Sequence, residues 1–264
     1  MSGAEAAARQ SRNRLRLLNT RRRETMINSL SRKFKRLDIP RNMFNLGTVT
    51  RADNRYMSVR LSRKLIDNLK QVYRRTLNES VEYSGSIPFT LTNTRSYAKF
   101  GTPTARTNQQ FASVRFTIED LTQYIAYHSH PAPTNIETPL FTYPSDDDLK
   151  LYINAYPAVQ ANLILEKQGY YIVDLLETNM NKPNPVEVVK EFNRLIQSKV
   201  FERVAVSWSR LAFFSTTAPK WKSAINGYID PLMRKKFGIS IRYYTWDELG
   251  EITLLDKNVI MNVG

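Results

Sequence analysis

The order of apolar periodicities along this chain predicts an α+β fold, a mixed β-sheet flanked by helices in α/β layers, preceded by a basic arm and followed by a further α/β segment. Three observations carry the expectation. Helix-period stripes alternate with short strand-like runs, the pattern of a layered domain. Hydrophobic residues make up 42% of the chain and charged ones 24%, enough of the first for a core and of the second for a wetted surface. The 264 residues suffice for one large domain with appendages or for two small ones.

The arm comes first. The chain carries a net charge of +15, and residues 1–41 hold twelve Lys and Arg against three acids, a balance of +9. Residues 1 to about 22 or 23 contain Arg9, Arg12, Arg14, Arg16 and Arg21-Arg22-Arg23 with few large apolar residues, and read as a disordered segment. Met26, Ile27, Leu30, Phe34 and Leu37 then recur at helical spacing beside Arg32, Lys33, Lys35 and Arg36, a basic amphipathic helix. Such a helix either docks on its own domain or binds nucleic acid, membrane or an acidic protein partner. Counterion release would make the second mode fall steeply with salt. Pro40 and Gly47 mark the boundary.

The central segment, about 50–203, follows. A strand is expected at 56–60, then a helix capped by Ser62 and running to about Thr76 with Leu65, Ile66, Leu69, Val72 and Tyr73 on its apolar face. Strands at 87–91 and 113–116 flank a polar loop, 92–110, and 117–121 is a helical turn or an irregular lead-in. A helix runs from near Asp146 to about Ala155. Residues 160–166 and 170–176 form a hairpin around Lys167-Gln168-Gly169. Asn184-Pro185 opens a helix to about Phe201, with Val186, Val189, Phe192, Leu195 and Ile196 as its stripe.

Residues 204–264 add strands at 204–208 and 239–244, with a helix at 219–236 between them and a short terminal segment after. They hold no repeat or catalytic signature. They read as a structural extension, or as a docking surface built partly from Trp221, Tyr228, Tyr243 and Trp246.

Several classes are excluded. No apolar run approaches about 18 residues, so no transmembrane helix is expected. The start, Met-Ser-Gly-Ala-Glu, lacks the apolar stretch of a secretory signal, which makes an intracellular location, cytoplasm or nucleus, the default. The absence of cysteine excludes disulfides and thiolate metal sites.

The chain has two histidines. In a strand over 124–130, the period of two puts His128 and His130 on one face, roughly 6–7 Å apart along the chain, so that two imidazoles can converge on one ion. The third candidate ligand is Asp148, in Pro144-Ser145-Asp146-Asp147-Asp148-Leu149, where a turn runs into a helix. Zn²⁺ held by two His nitrogens and one carboxylate keeps a fourth position open for water, a catalytic arrangement, whereas structural sites are closed by four protein ligands. Asp146 and Asp147 read as solvated charges of the first helical turn, either becoming a ligand if the loop before them shifts the register.

His-Ser-His-Pro followed by Ser-x-x-Asp, with Glu82-Tyr83-Ser84-Gly85-Ser86-Ile87 upstream as Glu-x-x-Gly-x-Ile, resembles the signature of the JAB/MPN (JAMM) zinc metalloprotease family over roughly residues 55–190. The resemblance implies a cytidine-deaminase-like mixed sheet and a protease or isopeptidase acting on ubiquitin-like conjugates, peptides or small amides. It implies Glu82 as the catalytic acid and base, in preference to Glu79 in the preceding turn. It further implies Ser145 as donor to the tetrahedral oxyanion, with Zn²⁺ on His128, His130 and Asp148. Ser145 also reads as a helix N-cap, compatible with oxyanion donation if the hydroxyl is shared or switches partners.

One departure stands out: residues 131–144 separate His130 from Ser145, a longer stretch than the family's usual one. Added residues in a surface loop cost little closure entropy, so the site survives while the loop's path over the groove is left open. The rival reading is a scaffold that keeps a JAMM-like domain inside a larger assembly, a virion component or a nucleic-acid-associated factor.

Overall fold

Strands supply most of the framework. The computed structural model describes residues 43–52, 56–91, 95–105, 124–133, 137, 139–175, 182–198, 206–207 and 213–255, which belong to a unit spanning Met43–Gly264. The basic arm, its amphipathic helix and the expected strand at 113–116 lie outside the described residues. The described elements are β1 (Phe44–Ala52), β2 (Tyr56–Leu61), α1 (Arg63–Glu79), β3 (Tyr83–Leu91), β4 (Ser96–Ala98), β5 (Thr104–Ala105), β6 (Tyr124–Ser129) and β7 (Leu140–Phe141). They continue with α2 (Asp146–Ala155), β8 (Val159–Leu165), β9 (Gly169–Leu175), α3 (Pro185–Ile196), β10 (Val206–Ser207) and β11 (Phe214–Ser215). The last are α4 (Ala218–Ala224), a π-helical turn (Ile225–Ile229), α5 (Asp230–Phe237), β12 (Ile239–Thr245) and β13 (Glu251–Leu255).

One large mixed sheet runs in the order β12-β9-β8-β6-β3-β4-β1-β2-β13, with β5 beside β3, and β7, β11 and β10 form a small second sheet. This is the α+β class that the sequence predicts. The pair β6 and β8 is parallel, and α2 is the crossover between them. All seven residues of β8 and all seven of β9 are buried, because helices cover both faces of the sheet's middle. Ile125, Tyr127, Leu163 and Ile172 face the α1 stripe of Leu65, Ile66 and Leu69. The alternate residues Ala126, Ile164, Tyr171 and Val173 face Leu149, Ile153, Phe192, Trp221 and Met233 from α2, α3, α4 and α5. Each such fully buried side chain contributes roughly 1.5–3 kcal/mol.

Where the elements depart from expectation, the reasons are long-range. Gly47 sits inside β1 rather than at a boundary, and a Cβ there would lie 2.1 Å from the Arg60 carbonyl oxygen, so glycine is what permits β2 to come this close. Helix α1 runs on to Glu79 and ends at Ser80, whose φ of 53° is left-handed. Helix α3 ends at Ile196, short of Phe201. The segment from 204 onward, expected as an extension, supplies β12 beside β9 and β13 beside β2, two strands of the main sheet.

Both outer edges of the sheet are covered by side chains. Asn226, in the π-helical turn, bonds both backbone groups of Tyr243 at 2.7 and 2.9 Å, and Asp230 Oδ1 accepts the Ile241 N–H at 2.9 Å. On β13, the Leu255 N–H donates to Gln160 Oε1 and the Thr253 N–H to Asp174 Oδ2. Edge N–H groups engaged in this way cannot pair with another chain.

Candidate metal centre

The β6-α2-β8 connection sets the site. In a parallel unit of this kind, the chain leaves the carboxyl end of one strand and enters the amino end of the crossover helix nearby, where open α/β sheets bind ligands. His128 and His130 stand at the carboxyl end of β6, and Ser145 to Asp148 open α2. The two histidines share the side of the strand occupied by Ala126, which faces α2. His130 keeps the strand's pairing through its N–H to the Leu165 carbonyl at 2.8 Å. Ser129, between them, points the opposite way and is fully buried, its Oγ accepting the Tyr83 N–H at 2.9 Å and touching Thr76 Oγ1 at 2.5 Å.

The motif Ser-x-x-Asp does two jobs. Ser145 Oγ accepts the Asp148 N–H at 3.2 Å and Asp148 Oδ2 accepts the Ser145 N–H at 2.8 Å, a reciprocal capping box. The box fixes the Asp148 side chain, so one carboxylate is locked by the helix start and presented to the histidines. Capping uses a lone pair of Ser145 Oγ and leaves its O–H available as a donor, so the cap and an oxyanion contact do not compete for the same part of the hydroxyl.

His128 Nε2 lies 2.9 Å from Asp148 Oδ1, His130 Nε2 lies 3.3 Å from Asp148 Oδ2, and the two Nε2 atoms are 3.2 Å apart. The three side chains are the one group of His, Cys, Asp or Glu among the described residues whose ligand atoms converge within 4.8 Å of one another. Zinc–ligand bonds of about 2.0–2.1 Å at tetrahedral angles separate neighbouring donors by about 3.3 Å. The observed spacing fits that cage. Without a cation, two Nε2–H groups aimed at one carboxylate would also face each other, an arrangement that a shared positive ion relieves. Burial, the largest single influence, raises the Asp148 pKa; the charge and hydrogen bonds of the two imidazoles outweigh it and hold the carboxyl well below its ordinary value. Asp148 therefore stands ready as an anion.

Glu82 stands just before β3 and outside this cluster. Strand β3 pairs with β6 through Ser84↔His128 and Gly85↔Tyr127. Glu82 therefore lies two residues before the strand partner of His128. Gly85 has its own reason: a Cβ there would meet the Tyr127 hydroxyl at 2.3 Å, so the glycine of Glu-x-x-Gly makes room for the tyrosine of Tyr-His-Ser-His.

The competing carboxylates are engaged elsewhere. Glu79 accepts from the Tyr83 hydroxyl and pairs with Arg75 at 3.7 Å. Asp146 Oδ1 accepts from Asn193 Nδ2 at 2.9 Å, and Asp147 pairs with Lys150 at 3.8 Å. Both are outside the convergent cluster, as the reading of them as helix-end charges expected.

The long connection from His130 is tied down at its far end. Its residues Leu140 and Phe141 form β7, paired with β11 of the C-terminal segment. Both backbone groups of Thr142 are then held by buried side chains: its N–H donates to Glu166 Oε2 at 2.9 Å and its carbonyl accepts the Tyr171 hydroxyl at 2.7 Å. Sequence reasoning missed Glu166 and Tyr171. In the sequence Glu166 reads as the last residue of a hairpin strand, although an acid closing the run Leu163-Ile164-Leu165 is itself a signal. Burial pushes its carboxyl up to about 7, against the opposing pull of the Thr142 N–H, Tyr243 and His130.

Comparison of the chain with models of protein families, with curated proteins and with solved structures returned no match.

Proposed function

We propose that the chain is a zinc-dependent hydrolase of the JAB/MPN (JAMM) type, acting on an amide or isopeptide bond of a protein or peptide substrate. The observation that carries this reading is the convergence of His128, His130 and Asp148 at separations suited to one tetrahedral cation. Zinc held there would lower the pKa of a water molecule from 15.7 towards about 7, making a nucleophile at neutral pH.

Glu82, two residues before the strand partner of His128, is the group to take the proton from the attacking water and return it to the departing amine. Ser145, its hydroxyl hydrogen left over from capping, is the donor for the oxygen of the scissile carbonyl as negative charge develops there. The capping box and the β6 pairing hold Asp148 and the histidines before substrate arrives, so little reorganisation is needed at the moment of reaction.

The test is zinc content after purification, together with cleavage of a linked ubiquitin pair and a peptide panel by wild type and Glu82→Gln. About one zinc per chain is expected, with cleavage by wild type and a loss of at least about 100-fold in Glu82→Gln while the metal stays bound. A chain that takes up no zinc from excess solution overturns the metal reading. Bound zinc with no cleavage of any amide overturns the hydrolase reading in favour of a scaffold, and undiminished cleavage by Glu82→Gln overturns the role of Glu82.

A further inference from the structure

Asp148 reaches the histidines only if the first turn of α2 is held in place, and two supports act on that turn. One is the apolar stripe of α2, Leu149, Tyr152 and Ile153, all buried in the core. The other lies before the helix, where six residues lead from β7 into the cap as Leu140-Phe141-Thr142-Tyr143-Pro144-Ser145. Thr142 is gripped on both sides, its N–H by Glu166 and its carbonyl by Tyr171. Tyr171 is in turn held by Trp221, whose Nε1–H donates to the Tyr171 hydroxyl at 2.6 Å. Glu166 is 2% exposed, and Tyr171 and Trp221 are wholly buried. Phe141 stacks on Trp221 with ring centroids 5.3 Å apart, so the residue before Thr142 rests on the same indole.

Two of these contacts are costly to make without a purpose. A carboxylate buried at the end of a strand gives up its hydration, and such groups persist where they satisfy a backbone group that has no other partner. A loop entering a helix has no regular ladder to fix it, and an N–H and a C=O pinned by two different strands determine its position and its direction. Metal sites lose affinity when a ligand is displaced by a fraction of an ångström.

We propose that Glu166 and Tyr171 are positioning residues for Asp148, acting through the two backbone groups of Thr142, and that Trp221 makes the metal centre dependent on the C-terminal segment. The proposal rests on the reading of His128, His130 and Asp148 as a metal site. It gives the long connection after His130 a physical role: part of it is tied to β11 and to the core, and that anchoring ends where the cap of α2 begins.

The experiment compares wild type with Glu166→Ala, Glu166→Gln, Tyr171→Phe and, as a control on the opposite face of the sheet, Leu69→Ala. Two quantities are read: zinc affinity by competition with a chelator, and amide hydrogen exchange of Ser145 and Asp148 in the metal-free protein. Glu166→Ala and Tyr171→Phe should weaken zinc binding about 10- to 100-fold and speed exchange at both amides. Glu166→Gln keeps an acceptor oxygen for Thr142 and should restore both quantities to within a few-fold of wild type. Leu69→Ala should lower thermal stability and leave both unchanged. If Glu166→Ala does not fold, Tyr171→Phe, which removes one hydroxyl, carries the test. Wild-type exchange rates and zinc affinity in Tyr171→Phe and any folded Glu166→Ala overturn the positioning role, as does an equal loss of zinc affinity in Leu69→Ala. A wild-type chain that binds no zinc overturns the metal reading instead, while exchange in the metal-free variants still decides whether the clamp holds the first turn of α2.

Discussion

Glu166 shows how one buried group can serve position at the expense of stability. Its carboxyl titrates near 7 rather than 4.5, chiefly because burial disfavours the charged form. The folded state therefore holds this proton more tightly than the unfolded chain does. For an acid raised in this way, stability is greatest below pH 4.5, declines as the pH rises and levels off above about 7, the folded value. A shift of this size corresponds to a loss on the order of 3 kcal/mol across the window. Glutamine cannot ionise and keeps the oxygen that Thr142 needs. Urea unfolding of metal-free wild type and Glu166→Gln between pH 4 and 8 should give curves that converge at the acid end, with the variant the more stable at pH 8. Parallel curves across the range would show that Glu166 is not the group responsible.

Elements in this fold are stitched by side chains that reach across strands, and the pair Asp174–Arg242 is the clearest instance. Asp174, on β9 and wholly buried, accepts from Arg242 of β12 at 2.7 Å and from the Thr253 N–H of β13 at 2.8 Å. Burial raises the Asp174 pKa and the guanidinium opposes it. Arg242→Met would leave the carboxylate buried without its partner, and Asp174→Ala would leave both the guanidinium and the edge N–H of β13 unsatisfied. Each single change should cost about 3–5 kcal/mol in chemical denaturation, and the double change Asp174→Leu/Arg242→Met less than the sum of the two. Costs under about 1 kcal/mol for both single variants would mean that water replaces the lost partner and that the pair is not a stitch. The same pair marks the limit of reading from sequence. The alternation around His128 and His130, the Ser145 cap and the stripe of α1 are local signals with a period, so these elements and three of the site's side chains were legible; in α3 the stripe was off at its start, where Val188 is buried and Val186 exposed. Asp174 sits in Tyr-Tyr-Ile-Val-Asp-Leu, a plausible strand, but its partner lies 68 residues away. The β1 strand was hidden by Gly47, which reads as a breaker until Arg60 is brought against it.

At the scale of the whole molecule, the sheet takes strands from both ends of the described chain. Strand β2, paired with β1 on one side, lies beside β13 on the other, and β12 closes the other edge against β9. The segment 43–203 therefore lacks two strands of its own sheet. It also lacks Trp221, Ile225, Ile229, Met233, Ile239, Ile241 and Tyr243, each fully buried in the core that faces α2 and α3. Burial of seven such side chains contributes on the order of 10 kcal/mol or more, comparable to the entire net stability of an ordinary domain, about 5–15 kcal/mol. Cutting after residue 203 would also bare the β9 edge along its pairing from Gly169 to Leu175 and the β2 edge from Tyr56 to Arg60, two invitations to edge-to-edge association. A chain of residues 43–264 should unfold in one cooperative thermal transition, while 43–203 should show no cooperative transition and should expose apolar surface to a dye such as ANS. Near-ultraviolet circular dichroism and calorimetry on the two chains decide it. If 43–203 unfolds cooperatively with native-like aromatic signals, the C-terminal segment is an appendage, and the dependence of the metal centre on Trp221 loses its structural basis.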